Sequence, residues 1–218
     1  MLSTWSLWLE KLSTSHAPQL TAGLTVCGLL VLALGDHPLA LLPWMLQRGL
    51  LIALLWSALR LPLSSMSGIA SIAIALLFLG AELWSAFARL RHGNAEQPAE
   101  RSVTGWALQL LGAALALLVT RGLLQVELVQ RLPSAAALAA VPLCVNGVFM
   151  LLLAGGGWLA GFGLLSLADG LRVLYALWSP DPMWWGLWAA SDVVVALAAS
   201  HLRRLQRAVP PPAPAEQG

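Results

Sequence analysis

The chain is a succession of apolar stretches separated by short polar or turn-forming segments. Seven such stretches can be delimited, and they are Pro18–Leu34, Leu39–Leu59, Met66–Ala88, Val103–Thr120, Ala135–Leu153, Trp158–Leu177 and Met183–His201. At a rise of about 1.5 Å per residue, an apolar helix of this length crosses the ~30 Å hydrocarbon core of a bilayer. The pattern therefore predicts an all-α integral membrane protein with about seven transmembrane helices.

The separation between the fifth and sixth stretches is the least certain part of this pattern. Only a short glycine-rich segment, Gly155–Gly157, divides them, so six spans with a re-entrant piece is an open alternative. The glycines at 155–157 and 161–163 resemble no nucleotide-binding fingerprint. Small residues let helices approach closely in bilayers, and we interpret these glycines in that way.

The two ends of the chain differ from the bundle, which we place at residues 18–208. Trp5, Trp8, Leu9 and Leu12 share one helical face within residues 1–17, a pattern typical of an amphipathic helix lying in the membrane interface. Residues 209–218 are rich in Pro and Ala and lack the apolar content needed to fold, so a disordered tail is predicted.

Composition limits the classes of function. Hydrophobic residues make up 59% of the chain and charged residues 10%, which excludes a water-soluble domain. The formal net charge of +2 is too small to indicate a nucleic-acid partner. Cys27 and Cys144 lie inside apolar stretches and are interpreted as small buried hydrophobes, with a disulfide between them as the alternative. No sequence motif for a metal, haem, iron–sulfur centre or catalytic nucleophile occurs, so we predict no cofactor and no catalytic residue.

Basic residues set the expected orientation. Six arginines follow the third or the last stretch, which a seven-span chain places on one side: Arg89, Arg91, Arg101, Arg203, Arg204 and Arg207. The other side collects Lys11, Arg60, Arg121 and Arg131. Because cytoplasmic loops are enriched in Lys and Arg, the N-terminus is expected outside and the C-terminus in the cytoplasm, in the inner (plasma) membrane of a cell.

Tryptophans are concentrated near the predicted span ends. Eight of them lie there: Trp44, Trp56, Trp84, Trp106, Trp158, Trp178, Trp184 and Trp185. The amphipathic indole favours the membrane–water interface, so we interpret these residues as interfacial belts.

Five charged residues lie inside the apolar stretches, and they are Arg48, Glu82, Asp169, Arg172 and Asp192. Charge at that depth is costly and usually marks an ion pair, a proton relay or an ion site. Asp169 and Arg172 are three residues apart, so they share a helix face and can pair. The simpler hypothesis is that these charges form salt bridges that hold helices in register. The alternative is a relay, for which Asp169, Asp192 and Glu82 are the candidates and Arg48 and Arg172 the charge partners.

Asp192 is the residue expected to be closest to a proton or ion role. It follows three small residues, Ala189, Ala190 and Ser191, that let another backbone approach, and no cation lies within a turn of it on its own helix. The alternative is that Arg48 or Arg172, from another helix, pairs with it permanently.

The segment from Gly155 to Arg204 reads GGGWLAGFGLLSLADGLRVLYALWSPDPMWWGLWAASDVVVALAASHLRR. A glycine-rich helix start, a mid-helix Ala168-Asp169-Gly170, a Trp/Pro turn and Asp192 after small residues follow one another. This order resembles the C-terminal part of the component E subunit of hydrogenase-4 and formate hydrogenlyase type complexes, which is related to the K subunit of respiratory complex I. The resemblance implies a non-catalytic subunit packed between a quinone-side subunit and an antiporter-like subunit.

From this resemblance we expect a membrane subunit of a complex I-like or group 4 hydrogenase-like energy-converting assembly. Asp169 and Asp192 would belong to its central intramembrane polar axis, with proton or ion translocation as an added role. One alternative is a structural or assembly subunit of another photosynthetic or respiratory complex without a transport role. A weaker alternative is an independent small transporter, which would be expected to show inverted repeats that this sequence lacks.

Overall fold

The computed structural model describes residues 2–35, 37–59, 103–177 and 182–208. Across these ranges every regular element is a helix: α1 Leu2–Leu34, a 3-10 turn Pro38–Ala40, α2 Leu41–Leu59, α3 Val103–Leu124, α4 Glu127–Gln130, α5 Ser134–Leu152, α6 Gly157–Ala176 and α7 Pro182–Ala208. The predicted all-α class is confirmed for these ranges. The third apolar stretch, Met66–Ala88, with Glu82, and the tail 209–218 lie outside the described residues.

Three of the described helices are long and apolar enough to cross a membrane. The segments are Gly105–Leu124 of α3, Ser134–Leu152 of α5 and Gly157–Tyr175 of α6. The other long helices contain shorter apolar parts, namely Pro18–Leu34, Leu41–Leu55 and Gly186–Leu202. The apolar part of α7 ends just before Arg203 and Arg204, although the helix continues to Ala208.

The N-terminal helix differs from its prediction. A separate interfacial helix over residues 1–17 was expected before the first span, but α1 runs without a break from Leu2 to Leu34 and contains Pro18. Proline removes one backbone hydrogen bond from a helix and does not have to end it.

The fifth and sixth apolar stretches form two separate helices, α5 and α6, which pair as a helical hairpin. Residues 153–156 connect the two helices. A Cβ added to Gly163 would lie 2.9 Å from the carbonyl oxygen of Gly147 and 3.0 Å from the amide nitrogen of Leu151. The backbones therefore touch here, which requires glycine and agrees with the packing role inferred for residues 161–163. Gly155 has no such neighbour within 4 Å, so that role does not extend to it.

The remaining helices are arranged around this hairpin. α1 packs against α2 and α5, α3 against α1 and α5, and α7 against α6. A shared core of buried side chains joins the six long helices α1, α2, α3, α5, α6 and α7, and its largest members include Leu32 of α1, Trp44 of α2, Met150 of α5, and Trp158 and Phe162 of α6. Trp44 and Trp158 are 1% and 0% exposed, so these two belong to the core and not to the interfacial belts predicted for them.

α3 has the least buried apolar surface of the three long apolar helices, with 17% of its span inside the structure. Its exposed large side chains run along the whole helix: Trp106, Leu108, Leu110, Leu111, Leu115, Leu117, Leu118, Val119 and Leu123. A helix that is apolar on its exposed side matches a lipid or membrane-subunit environment and would be costly in water.

Candidate functional site

Four of the five charged residues predicted inside the spans meet in the structure. Arg48 lies on α2, Asp169 and Arg172 lie on α6, and Asp192 lies on α7. All four are at most 3% exposed. Glu82 belongs to the part of the chain that the structure does not describe, so its position relative to the other four is not given.

The four side chains form a closed ring of ion pairs, which we call the Arg/Asp ring. Arg48 Nε lies 2.9 Å from Asp169 Oδ2, and Arg48 Nη1 lies 2.9 Å from Asp192 Oδ2. Arg172 Nη1 lies 3.0 Å from Asp169 Oδ1, and Arg172 Nη2 lies 2.9 Å from Asp192 Oδ1. Each carboxylate therefore contacts both guanidinium groups, and each guanidinium group contacts both carboxylates.

Helix geometry explains one of the four ion pairs of this ring. Asp169 and Arg172 are three residues apart on α6 and share a face, so their pairing follows from local spacing. Arg48 of α2 and Asp192 of α7 complete the ring, since Arg48 pairs with Asp169 and Asp192 also pairs with Arg172. Arg48 and Asp192 pair with each other as well. The ring thus ties three helices together at one point.

The charges of the ring sum to zero, since two arginines face two aspartates. Removing a single ion from water costs several kcal/mol, and close opposite charges offset that cost only when the geometry is good. Here every charged group has two partners of opposite sign within 3.0 Å. Because arginine does not release its proton in proteins, the two positive charges of the ring are permanent.

Two tryptophans flank the ring, one beside each arginine. The guanidinium carbon of Arg48 lies 5.2 Å from the centre of the Trp44 ring, and that of Arg172 lies 5.5 Å from the Trp188 ring. Both distances are within the range of a cation–π contact. The carbonyl oxygen of Trp188 also accepts a hydrogen bond of 3.4 Å from Arg172 Nη2.

These two tryptophans were not predicted as site residues. A usable signal was present, because Trp44 precedes Arg48 by four residues and Trp188 precedes Asp192 by four residues. Residues four apart lie on the same helix face. This spacing indicates Trp44 as a neighbour of Arg48, whereas Trp188 contacts Arg172 of another helix, which spacing along α7 does not show.

Asp192 is the residue whose surroundings the sequence left most open. The structure places both arginines against it from other helices, and whether the pairing is permanent stays a prediction. The small residues before it do not receive another described helix, since Ala190 and Ser191 are exposed. The hydroxyl of Ser191 instead donates to the carbonyl oxygen of Trp188 at 2.7 Å.

The described residues form neither a disulfide nor a group suited to bind a metal ion. Cys27 of α1 and Cys144 of α5 are both free thiols, so the disulfide alternative is not realised. Within the described ranges, no group of three or more His, Cys, Asp and Glu side chains is placed to hold a metal ion. The two carboxylates that the described residues bring to the ring are both paired with arginine.

The ring is suited to holding helices and poorly suited to exchanging charge. Each carboxylate is held at about 3 Å by two arginines, whose positive charge is permanent. Removing one member leaves a buried charge without its partner, whereas keeping all four leaves none. The geometry therefore favours a fixed structural cluster.

Comparison of the chain with protein-family models, with curated proteins and with solved structures found no match.

Proposed function

We propose that this chain is a non-catalytic, multi-pass subunit of a membrane-bound energy-converting assembly, complex I-like or group 4 hydrogenase-like. The resemblance of residues 155–204 to the component E and subunit K family supports this proposal, and three of the four ring residues lie in that segment. Its partners would be a quinone-side subunit and an antiporter-like subunit in the inner (plasma) membrane. The exposed apolar side of α3 is compatible with such neighbours or with lipid.

Within that assembly we assign the Arg/Asp ring a structural role, and the closure of the ring carries this assignment. All four members are paired twice, and two of them are arginines that cannot change charge. Such a ring fixes the relative positions of α2, α6 and α7. The same role would serve a structural subunit of another respiratory or photosynthetic complex.

A proton or ion relay through Asp169, Asp192 and Glu82 is the second candidate function. The observation that favours it is the burial of two carboxylates at 3% and 1% exposure within the apolar parts of α6 and α7. Intramembrane acids of this kind are a default indication of ion movement. In this case the ring would have to open during turnover.

The proposed topology is seven transmembrane spans with the N-terminus outside. Reporter fusions after Arg91 and after Arg207 should both be cytoplasmic, and a fusion within 180–182 should be outside. This expectation follows from the excess of arginine on one side. Opposite locations for the fusions after Arg91 and Arg207 would contradict seven spans.

Affinity purification tests the subunit hypothesis. The tagged full-length chain, solubilised in mild detergent, should copurify with unlike membrane proteins in fixed stoichiometry. Recovery of the chain alone or as a homo-oligomer would contradict the proposal and favour an independent transporter.

Asp192→Asn then separates the two candidate roles within the assembly. The substitution keeps the shape of the side chain and removes its charge. If the ring is structural, the amount of assembled complex falls, and the complex that does assemble keeps its ratio of ions moved per redox turnover. Normal assembly with a sharp loss of that ratio would instead establish the relay. Ser191→Ala, at the exposed neighbouring position, is the matched control and should change neither quantity.

A further inference from the structure

The buried polar atoms of the described residues that lack a hydrogen-bond partner include three on α2 and α6. They are Oε1 of Gln47, Nη2 of Arg48 and Oγ of Ser166. Gln47 is 2% exposed and Ser166 is 1% exposed, so bulk solvent and lipid headgroups do not reach them. Buried polar groups in folded proteins nearly always have a partner, either protein or an internal water molecule.

The contacts between α2 and α6 define where these atoms lie. At one level Trp44 of α2 stacks on Phe162 of α6, with ring centres 5.3 Å apart. At the next level Arg48 Nε of α2 lies 2.9 Å from Asp169 Oδ2 of α6. Residue numbers increase together along both helices, so α2 and α6 run parallel through this contact.

Ser166 and Gln47 both lie between these two levels. Ser166 follows Phe162 by four residues and precedes Asp169 by three, so it shares their face of α6. Gln47 follows Trp44 by three residues and directly precedes Arg48 on α2. The unpartnered atoms are therefore at one height of one helix–helix contact.

The chemistry of the three groups selects the species that would satisfy them. Nη2 of Arg48 can only donate a hydrogen bond, Oε1 of Gln47 can only accept one, and the hydroxyl of Ser166 can do both. An anion would oppose the Gln47 oxygen and the nearby Asp169 carboxylate, and a cation would oppose Arg48. A small neutral molecule with both donors and acceptors fits all three, and water is that molecule.

We propose that α2 and α6 hold an internal water molecule at this level, bound by Gln47, Arg48 and Ser166. The water completes the hydrogen bonding of the Arg48 guanidinium group, which the ion pairs leave incomplete. It links the Arg/Asp ring to two neutral side chains and does not depend on which assembly the chain joins.

The sign of one mutational effect tests this site. With the water present, Ser166→Ala removes one of its hydrogen bonds, and the folding equilibrium constant should fall by about fivefold. Without the water, Ser166→Ala removes a hydroxyl that has no partner, and the constant should stay the same or rise. Ser200→Ala is the control, because the Ser200 hydroxyl donates to the Leu197 carbonyl oxygen of its own helix at 2.8 Å, and a change within about twofold is expected.

A double-mutant cycle with Gln47→Met adds an independent criterion. If both side chains bind one water, the folding equilibrium constant of the double variant should fall by less than the product of the two single-variant factors, so the free-energy losses are less than additive. Additive losses, or a neutral or stabilising Ser166→Ala, would overturn the proposal. Each constant is measured on the full chain by reversible denaturation in detergent micelles, followed by tryptophan fluorescence.

Radiolytic labelling of the unmodified chain in ¹⁸O-water serves if these variants do not fold. Bound water generates hydroxyl radicals in place, so Trp44 and Phe162 should gain ¹⁸O although they are 1% and 0% exposed. Met150 of α5, also 0% exposed, provides the comparison after correction for intrinsic reactivity. Labelling of Trp44 and Phe162 no faster than that of Met150 would overturn the proposal.

Discussion

Charge balance in the Arg/Asp ring should decide the stability of the bundle more than the number of ion pairs does. Asp169→Asn removes one negative charge that contacts Arg48 at 2.9 Å and Arg172 at 3.0 Å. The ring is left with two arginines and one aspartate, so one buried positive charge is uncompensated. Breaking a buried pair in this way costs about 3–5 kcal/mol of unfolding free energy.

A second substitution that restores neutrality should recover much of this loss. Asp169→Asn with Arg172→Gln leaves a single buried pair, Arg48 with Asp192 at 2.9 Å. Three of the four ion contacts are gone, yet no charge is left over. Removing both members of a buried pair is often close to neutral, so we expect a coupling energy on the order of 3 kcal/mol between the two substitutions.

A matched double variant distinguishes charge balance from simple loss of contacts. Asp169→Asn with Asp192→Asn also changes two residues, but it leaves two buried arginines facing each other. Its loss of stability should be at least the sum of the single losses. Reversible denaturation in mixed micelles, followed by tryptophan fluorescence, measures all these variants on one scale. If Asp169→Asn and Arg172→Gln are additive, or if the two double variants are equally stable, the reasoning is refuted.

Two further predictions concern the bundle away from the ring. Gly163→Ala should destabilise the chain by about 1–3 kcal/mol, because the added Cβ would lie 2.9 Å from the Gly147 carbonyl oxygen. Gly155→Ala, with no neighbour within 4 Å, should be nearly neutral. Equal effects in the same denaturation assay would contradict the close packing of α5 and α6. Arg131→Gln should lower the unfolding free energy by less than ~0.5 kcal/mol, since Arg131 and Glu127 form a pair whose side chains are 73% and 82% exposed. A loss of unfolding free energy as large as that of Asp169→Asn would show that this pair is not at the surface.

The amino-acid sequence by itself determined the helical class and most of the helix ends. The predicted limits of α5 and α6, Ala135–Leu153 and Trp158–Leu177, are within one residue of the observed ones. Long apolar runs interrupted by Gly and Pro admit few other structures, because a bilayer leaves no partner for backbone groups outside a helix. The pairing of Asp169 with Arg172 was also within reach, since it depends only on spacing along one helix.

Tertiary structure decided everything that depends on which helices are neighbours. The sequence listed Arg48 and Asp192 as charges inside spans, but spacing along a chain cannot show that residues 144 positions apart will lie 2.9 Å from each other. Trp44 and Trp158 were predicted at the membrane interface because both lie near the end of an apolar stretch. The core that the long helices share buries both of them. Local periodicity sets the faces of helices, whereas the burial and pairing of a charge depend on the faces that other helices present to it.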